Sequence, residues 1–466
     1  MAGIDDARIQ RLNEHPADSA GRYVLYWMQQ SQRADSNPAL EHAVREAEER
    51  NQPVVVGFGL TADYPDANAR HYAFLLQGLA HVQDRLRDRG IKLVVRRGSP
   101  DQVALELAAD ASLVVCDRGY LRHQRAWRRR VAEEAGRAVV QVEGDVVVPI
   151  EVVSQKREYA ARTLRPKIER VRDGFLTSLT EADPTKSSLR LRVTGDVDPS
   201  DPERLLRALE VDREVAPVES FVGGTDEARR RLTRFLRSGI GGYAENRSEP
   251  AAEQVSGLSP YLHFGQISPV EVALKARASK SAGREDLATF LEELVVRREL
   301  SANYVYFAED YDRYGALPEW ARKTLEKHKE DARPARYTRD ELEAGKTHDR
   351  YWNAAMAEMR ETGYLHNTLR MYWGKQIIQW TNTPGYAFDT ALYLNNRYFL
   401  DGRDPNSFTN IAWLFGLHDR PWQERDVLGT VRTMTRGGLD RKYDMDAWMA
   451  QVEERSGPVG PDAPTA

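Results

Sequence analysis

Between residues 363 and 380 the chain reads Gly-Tyr-Leu-His-Asn-Thr-Leu-Arg-Met-Tyr-Trp-Gly-Lys-Gln-Ile-Ile-Gln-Trp. Steps of four and three along a helix put His366, Arg370, Trp373, Ile377 and Trp380 on one stripe, with Asn367 and Met371 on the strip beside it. A stripe mixing His, Arg and two Trp is too polar for a plain core face. It suits the wall of a buried, flat heteroaromatic cofactor, although tryptophans of helical bundles more commonly just pack between helices. Downstream, the segment 389–399 offers Asp389 as a carboxylate to pair Arg370, followed by Asn395, and Trp413 lies beyond it.

Two further constellations carry weaker signals. The stretch 255–269 places hydroxyls at Ser256 and Ser259 around Gly257, and Ser268-Pro269 then opens a helix as N-cap and first-turn residue. Backbone N–H groups and hydroxyls beside a helix start are a common phosphate cradle, and equally a plain capping loop. Tyr243 and Arg247 precede it in a glycine-rich run. On the helix around 290–300, adjacent Glu and Arg pairs predict surface bridges four residues apart, such as Glu293 with Arg297.

These groups need elements to hold them. At 466 residues the chain is longer than one core usually organises, so two domains are expected. Apolar runs at 23–27, 54–58, 91–95 and 113–116 alternate with helical periods at 40–50, 70–89 and 100–109. That alternation predicts a doubly wound parallel sheet with helices on both faces. No G-x-G-x-x-G follows any of these strands, so no dinucleotide fingerprint is present. A boundary scheme follows: a tail over 1–20, an α/β domain over 21–150, a polar, proline-bearing connection over 151–220, a helical domain over 221–455 and a Pro/Gly/Ala tail over 456–466. The lone cysteine, Cys116, ends a strand-like run and reads as packing. No Cys/His spacing predicts a metal site. No apolar run is long enough to span a bilayer and the first residues lack a secretory pattern, which predicts a cytoplasmic protein. The net charge of −4 argues against an indiscriminately basic surface. Local arginine clusters at 122–130, 229–237 and 432–442 still allow a phosphate-binding patch.

Taken together and in order, the 256–260 loop, the 363–371 segment and the 389–396 segment resemble the FAD domain of the photolyase/cryptochrome family. The details at 23–28, 297–300, 366–373 and 416–419 resemble class II cyclobutane pyrimidine dimer photolyases, and the similarity runs from about residue 22 to 450. The resemblance implies a Rossmann-like α/β domain followed by an all-α FAD-binding domain. It implies that Tyr243, Ser256, Gly257, Leu258 and Ser259 surround the FAD phosphates and ribityl chain, with Arg298 on a phosphate. Asn367 would help hold the cofactor, Arg370 and Asp389 would pair beside the isoalloxazine, and Asn395 would face flavin N5. Glu293 would hydrogen-bond the lesion and stabilise its developing negative charge, which requires a protonated carboxyl or a shared proton. Met371 and Trp413 would pack on the flipped-out lesion. Arg247, Arg432, Arg436, Arg441 and Lys442 would contact DNA, the last four through phosphates.

The same resemblance implies an electron relay through Trp373 inside, Trp352 outside and Trp380 as a branch. Phe399 stands four residues after Asn395, where the class I relay would need a tryptophan, and Arg297 stands where class I proteins stack a tryptophan on the lesion. Both departures favour class II. The expected activity is light-dependent repair of pyrimidine dimers in ultraviolet-damaged double-stranded DNA by a monomeric enzyme. The competing readings are a cryptochrome-like photoreceptor without repair and a flavoprotein unrelated to light. An antenna pigment, deazaflavin or folate, is left open.

Overall fold

The computed structural model describes residues 3–459; the end of the expected 456–466 tail, from residue 460 on, lies outside the described residues. Six strands form one sheet: β1 (Ile9–Arg11), β2 (Tyr23–Trp27), β3 (Val54–Leu60), β4 (Lys92–Arg97), β5 (Ala111–Asp117) and β6 (Val139–Val142). Their order is β1-β6-β5-β2-β3-β4, parallel throughout except that β1 pairs antiparallel with β6. Every residue of β2, β3 and β5 is buried, as expected of largely apolar strands covered on both faces. Helices α1 (Pro38–Glu49), α2 (Ala69–Asp88), α3 (Pro100–Ala108) and α4 (Arg122–Glu134) supply the cover. The start of α1 is fixed by Asn37, whose side chain accepts the N–H of Ala39 and Leu40. Strand β1 comes from the stretch expected to be a tail. It is tied down by Arg8, which donates to the carbonyls of Glu143, Val146 and Val147.

From β2 the chain proceeds to β3 and β4 on one side, then returns to β5 and β6 on the other. A crevice therefore opens between the carboxyl ends of β2 and β5. Asp117, at the end of β5, is fully buried there and accepts the N–H of Gln29, Gln30 and Ser31 and the Tyr26 hydroxyl. It thereby shapes the loop that leaves β2.

The connection at 151–220 is not a free tether. Its helix α5 (Ala161–Phe175) buries Leu164 and Ile168 in the core of the second half. The chain then runs back along the β4 edge, where the Ser188 N–H donates to Gly90 and Val197 bridges Val95. The helical half comprises α6 (Thr225–Arg234), α7 (Pro269–Arg277), α8 (Arg284–Leu291), α9 (Arg298–Phe307), α10 (Arg350–Thr362), α11 (Asn367–Trp380), α12 (Pro384–Tyr398), α13 (Pro405–Leu414) and α14 (Met445–Ser456), besides a nine-residue helix at Glu319–Lys327 and shorter turns. As expected, Ser268 caps α7 with Pro269 in its first turn. Between α8 and α9, residues Glu292–Arg297 wind as a π-helix. The wider turn brings Arg297 onto Glu292, five residues back, at 3.0 Å, so the bridge expected between Glu293 and Arg297 does not form.

The halves meet through backbone acceptors. Arg70 of α2 donates to the carbonyls of Met359 (3.1 Å), Tyr398 (2.7 Å) and Arg360. Gly265 (φ +64°) lies so close to the β2 loop that a Cβ there would sit 2.0 Å from the Gln30 carbonyl oxygen. Among the described residues no helix is long and apolar enough to cross a membrane, and no His/Cys/Asp/Glu group could hold a metal ion.

Candidate active site

One cavity collects seven of the ten residues expected to hold the cofactor, together with Glu293; Gly257, Asp389 and Asn395 are not in its lining. Its wall is made by Tyr243, Ser256, Leu258 and Ser259 from the segment before α7, Glu293 and Arg298 from the π-turn into α9, Asn367 and Arg370 from α11, Asp401 and Asp404 from the turn into α13, and Asn406 and Asn410 from α13 itself. Gly257 lies just behind, at φ +63° on the border of a neighbouring cavity that also shares Ser256. The left-handed backbone there favours glycine.

The first turn of α11 is set by His366. Its Nδ1 accepts the Thr368 N–H at 3.2 Å and its Nε2 donates to the Arg247 carbonyl at 3.1 Å. That pattern requires the neutral ring, and burial lowers the His366 pKa to about 4. One turn on, Arg370 forks onto Asp401, with Nη1–Oδ1 2.9 Å and Nη2–Oδ2 3.1 Å. Its Nε donates to the Leu365 carbonyl at 2.8 Å, and its Cζ lies 3.9 Å from the Phe399 ring centre. The guanidinium is thus held on every side in a fixed plane.

The expected partner Asp389 is not there. It is exposed on α12. Six residues separate it from Asn395, which turns a helix by about 240° modulo a full circle, so the two cannot share a face. Asn395 is the buried one, and its amide donates to Asn396 Oδ1 at 3.0 Å. Asn396 in turn reaches Asp66 of the α/β domain at 2.9 Å.

Elsewhere on the wall, Glu293 pairs with Arg247 at 3.2 Å, both half-buried. Burial, together with the neighbouring Glu293 charge, raises the Tyr243 hydroxyl pKa to about 12, so it stays a neutral donor. Burial opposes ionisation of Asp404, yet the His263 ring at 3.3 Å leaves its pKa lowered. Arg298 borders the cavity while donating to the carbonyls of Asp145 and Leu262. It therefore spans cavity and domain interface.

Behind Phe399 lie the tryptophans. The Trp373 ring is 6.4 Å from Phe399 and stacks on Trp352 at 6.5 Å and 10°. Trp352 meets Trp380 at 5.8 Å. All three are buried, with Trp352 at 0% exposure. Trp352 therefore does not reach the surface, as an outermost relay residue would have to.

Met371 and Trp413 are half-buried, and the Arg297 guanidinium lies 5.4 Å from the Trp413 ring. Arg432, Arg441 and Lys442 are exposed; Arg436 packs over Tyr351. The other arginine clusters serve the fold. Arg122 pairs with Asp312 across the domains, and Arg229 pairs with Asp35 and Glu271.

Sequence reasoning missed Asp401, Asn406, Asn410 and the His263–Asp404 pair. Asp404 was detectable as an N-cap, since Asp-Pro before an apolar run marks a helix start, and its carboxylate does accept the Asn406 N–H. It also missed a second, mostly apolar cavity beyond the carboxyl ends of β2 and β3, lined by Gln29, Phe58, Tyr64, His71, Trp127 and Arg403. There Gln29 Nε2, Gln32 Oε1 and Arg403 Nε and Nη2 are buried without a hydrogen-bond partner among the described residues.

The family model described as DNA photolyase matches residues 24–186. The deoxyribodipyrimidine photo-lyase of Methanothermobacter thermautotrophicus is 46% identical over 96% of this chain and 98% of its own length. That of Arabidopsis thaliana is 37% identical over 97% and 93%. Among solved structures, an archaeal photolyase from Sulfolobus tokodaii, determined with two FAD molecules, superposes with a TM-score of 0.67 at 16% identity, covering 93% of this chain and 89% of that one. With relatives this similar over nearly the whole length, the chain belongs to the DNA photolyase family.

Proposed function

We propose that this chain is a deoxyribodipyrimidine photo-lyase, which repairs cyclobutane pyrimidine dimers in ultraviolet-damaged DNA using light, with FAD in the cavity between the Ser256–Ser259 loop and the Arg370–Asp401 fork. The observation that carries this is the sharing of one cavity by a hydroxyl-bearing loop, a fixed guanidinium–carboxylate fork and Glu293. The donor set fits a dinucleotide with a flat ring. Ser256 and Ser259 offer hydroxyls to a diphosphate, and Tyr243, Phe290 and Leu294 offer apolar surface. The Arg370–Asp401 fork presents a rigid polar edge, whereas Asn395 lies outside the cavity lining with its amide donating to Asn396, so its expected place at flavin N5 rests on the family resemblance alone.

A bound reduced flavin would supply the light-absorbing one-electron donor. The protein's part is to orient, to exclude water and to stabilise charge. Glu293 sits where the lesion carbonyls would come. Its bridge to Arg247 keeps a cation beside it, and a DNA phosphate competing for Arg247 would release the carboxyl toward the lesion. Met371 and Trp413 form apolar walls for the everted bases. The exposed Arg432, Arg441 and Lys442, with Arg436, would serve as phosphate contacts, which carry no sequence preference. The absence of class I tryptophans at Phe399 and Arg297 supports the class II reading.

The apolar lining of the cavity beyond β2 and β3 is what supports the reading of a second flat chromophore, deazaflavin or folate. The unpartnered Arg403 and Gln29 donors call for an acceptor-rich ring edge.

The test is incubation of the reduced, flavin-loaded chain with dimer-containing DNA in blue light and in darkness. Dimer loss confined to the illuminated sample is expected. Flavin photoreduction with no dimer loss would instead favour the photoreceptor reading.

A further inference from the structure

The fold uses only part of the arginine cluster at 122–130. Arg122 pairs with Asp312, and Arg130 pairs with Asp101 and Glu134. Arg125, Arg128 and Arg129 remain, and steps of three and four residues set them on one face of α4. With Arg118, just after β5, they line a further cavity of about 510 Å³, whose other walls include Gln10 of β1, Gln141 of β6 and Tyr306 of α9. Trp127, on the opposite face of the same helix, lines the apolar cavity, so α4 stands between the two.

The charges around this cavity do not balance. Arg118 is matched by Glu143 at 2.9 Å and Glu151 at 2.7 Å. Among the described residues no carboxylate lies within 4.0 Å of Arg125, Arg128 or Arg129. Arg128 is 5% exposed, and its partners are neutral acceptors: Gln141 Oε1 at 3.2 Å, Gln29 Oε1 at 3.5 Å and the Gly119 carbonyl. Arg125 gives one N–H to the Tyr306 carbonyl at 2.9 Å and lies 4.8 Å from that ring. Arg129 is exposed, with no side-chain partner among the described residues. A guanidinium keeps its proton, so a buried one calls for an anion, and its planar fork of donors matches phosphate oxygens.

The charge deficit and the depth narrow the ligand. A phosphate monoester carries about −1.5 to −2 at pH 7, short of three guanidinium charges, whereas two linked phosphoryl groups supply about −3. A DNA backbone is the competing anion. Arg118 and Arg128, each 5% exposed, lie below any surface that a duplex could touch, while the cavity has the size of a small-molecule site.

We propose that this cavity binds the diphosphate group of a small ligand, inorganic pyrophosphate or a nucleoside diphosphate, through Arg125, Arg128 and Arg129. The site is separate from the flavin cavity and does not depend on the photo-lyase reading.

The experiment is calorimetric titration of the full chain saturated with FAD, so that the flavin cavity is already filled. Pyrophosphate should bind once per chain, and orthophosphate about tenfold more weakly or worse. Arg125→Gln with Arg129→Gln leaves the buried Arg128 in place and should weaken pyrophosphate about tenfold or more. Arg129→Gln alone, at an exposed position outside the core, should already weaken it, whereas Arg130→Gln should leave it unchanged. ADP separates the two sources: tighter binding than pyrophosphate assigns a nucleotide, equal binding the inorganic ion. Absence of pyrophosphate binding, equal affinity for orthophosphate, or undiminished affinity in the double variant overturns the proposal. A double variant that keeps its pyrophosphate affinity but loses affinity for undamaged duplex DNA assigns these arginines to nucleic acid instead. If the chain takes up no FAD, the flavin reading fails, and the arginine dependence of pyrophosphate binding still decides this one.

Discussion

Replacing Asp401 by Asn separates the observed ion pair from the expected one. The Asp401 side chain is 12% exposed and that of Arg370 16%, so the fork is largely withdrawn from water. Breaking a buried pair from one side costs about 3–5 kcal/mol, because the remaining charge is stranded. Here the loss is smaller. Asn keeps one carbonyl acceptor, the Leu365 carbonyl still takes Nε, and Phe399 still lies under the guanidinium. We set the cost at about 2 kcal/mol. The fork lines the cavity, so the freed guanidinium swings to other acceptors on that wall, and the loss falls on cofactor affinity. A penalty of that size is about 30-fold in dissociation constant. The assay is titration of the flavin-free chain with FAD, followed by flavin fluorescence. Asp389→Asn is the comparison, and its effect should stay within about 0.5 kcal/mol, as for an exposed position without special contacts. If Asp389→Asn strips the flavin while Asp401→Asn retains it, the assignment is refuted.

Other positions give independent checks. Glu293→Ala should lower the yield of repaired dimers per absorbed photon without raising the FAD dissociation constant; release of flavin would remove the lesion-facing role. Trp373→Phe should abolish light-driven reduction of the bound flavin in the presence of thiol, measured as bleaching of the oxidised band. Lys375 is fully buried and hydrogen-bonded to the Leu414 carbonyl, and desolvation lowers its pKa to about 7 from the ordinary 10.5. Between those values the unfolded chain binds more protons than the folded one, so this lysine's destabilising effect is full below pH 7 and fades as pH rises. Lys375→Met should therefore lose roughly 2 kcal/mol of stability relative to wild type on going from pH 6 to pH 9, read from urea midpoints at both pH values. Finally, a Cβ on Gly374 would sit 2.1 Å from Leu414 Cδ1, whereas one on Gly385 meets nothing within 4 Å. Gly374→Ala should cost about 2 kcal/mol through overpacking of α11 on α13, while Gly385→Ala should be neutral or gain about 0.5 kcal/mol, by urea denaturation.

The legible parts of the sequence were those with strong periodicity. The β2, β3 and β5 runs are apolar because both sheet faces are covered, whereas of the α11 stripe only Arg370 meets the cavity and Trp373, Ile377 and Trp380 pack in the core. The short edge strand β1 has no such pattern. Its place depends on Arg8 reaching carbonyls more than a hundred residues away, and a local reading cannot see that. Asp389 lies inside the 389–396 segment that carries the resemblance, and Asp401 lies beyond it. Which carboxylate meets Arg370 is decided by the rotation of α12 and the turn that follows it. The π-turn misled in the same way, since one extra residue per turn shifts Arg297 from Glu293 to Glu292. The burial of Trp352 follows from α10 lying under α11 and α14, and aromatic spacing alone does not reveal it.

The central claim is that light absorbed by a flavin held against the Arg370–Asp401 fork breaks pyrimidine dimers. An action spectrum of dimer loss for the reduced, flavin-loaded chain tests it most directly. The account predicts repair that follows the absorption of reduced flavin, extended by any second chromophore, and that disappears when the flavin is withheld. Dimer loss in darkness, or undiminished loss from the flavin-free chain, would contradict it.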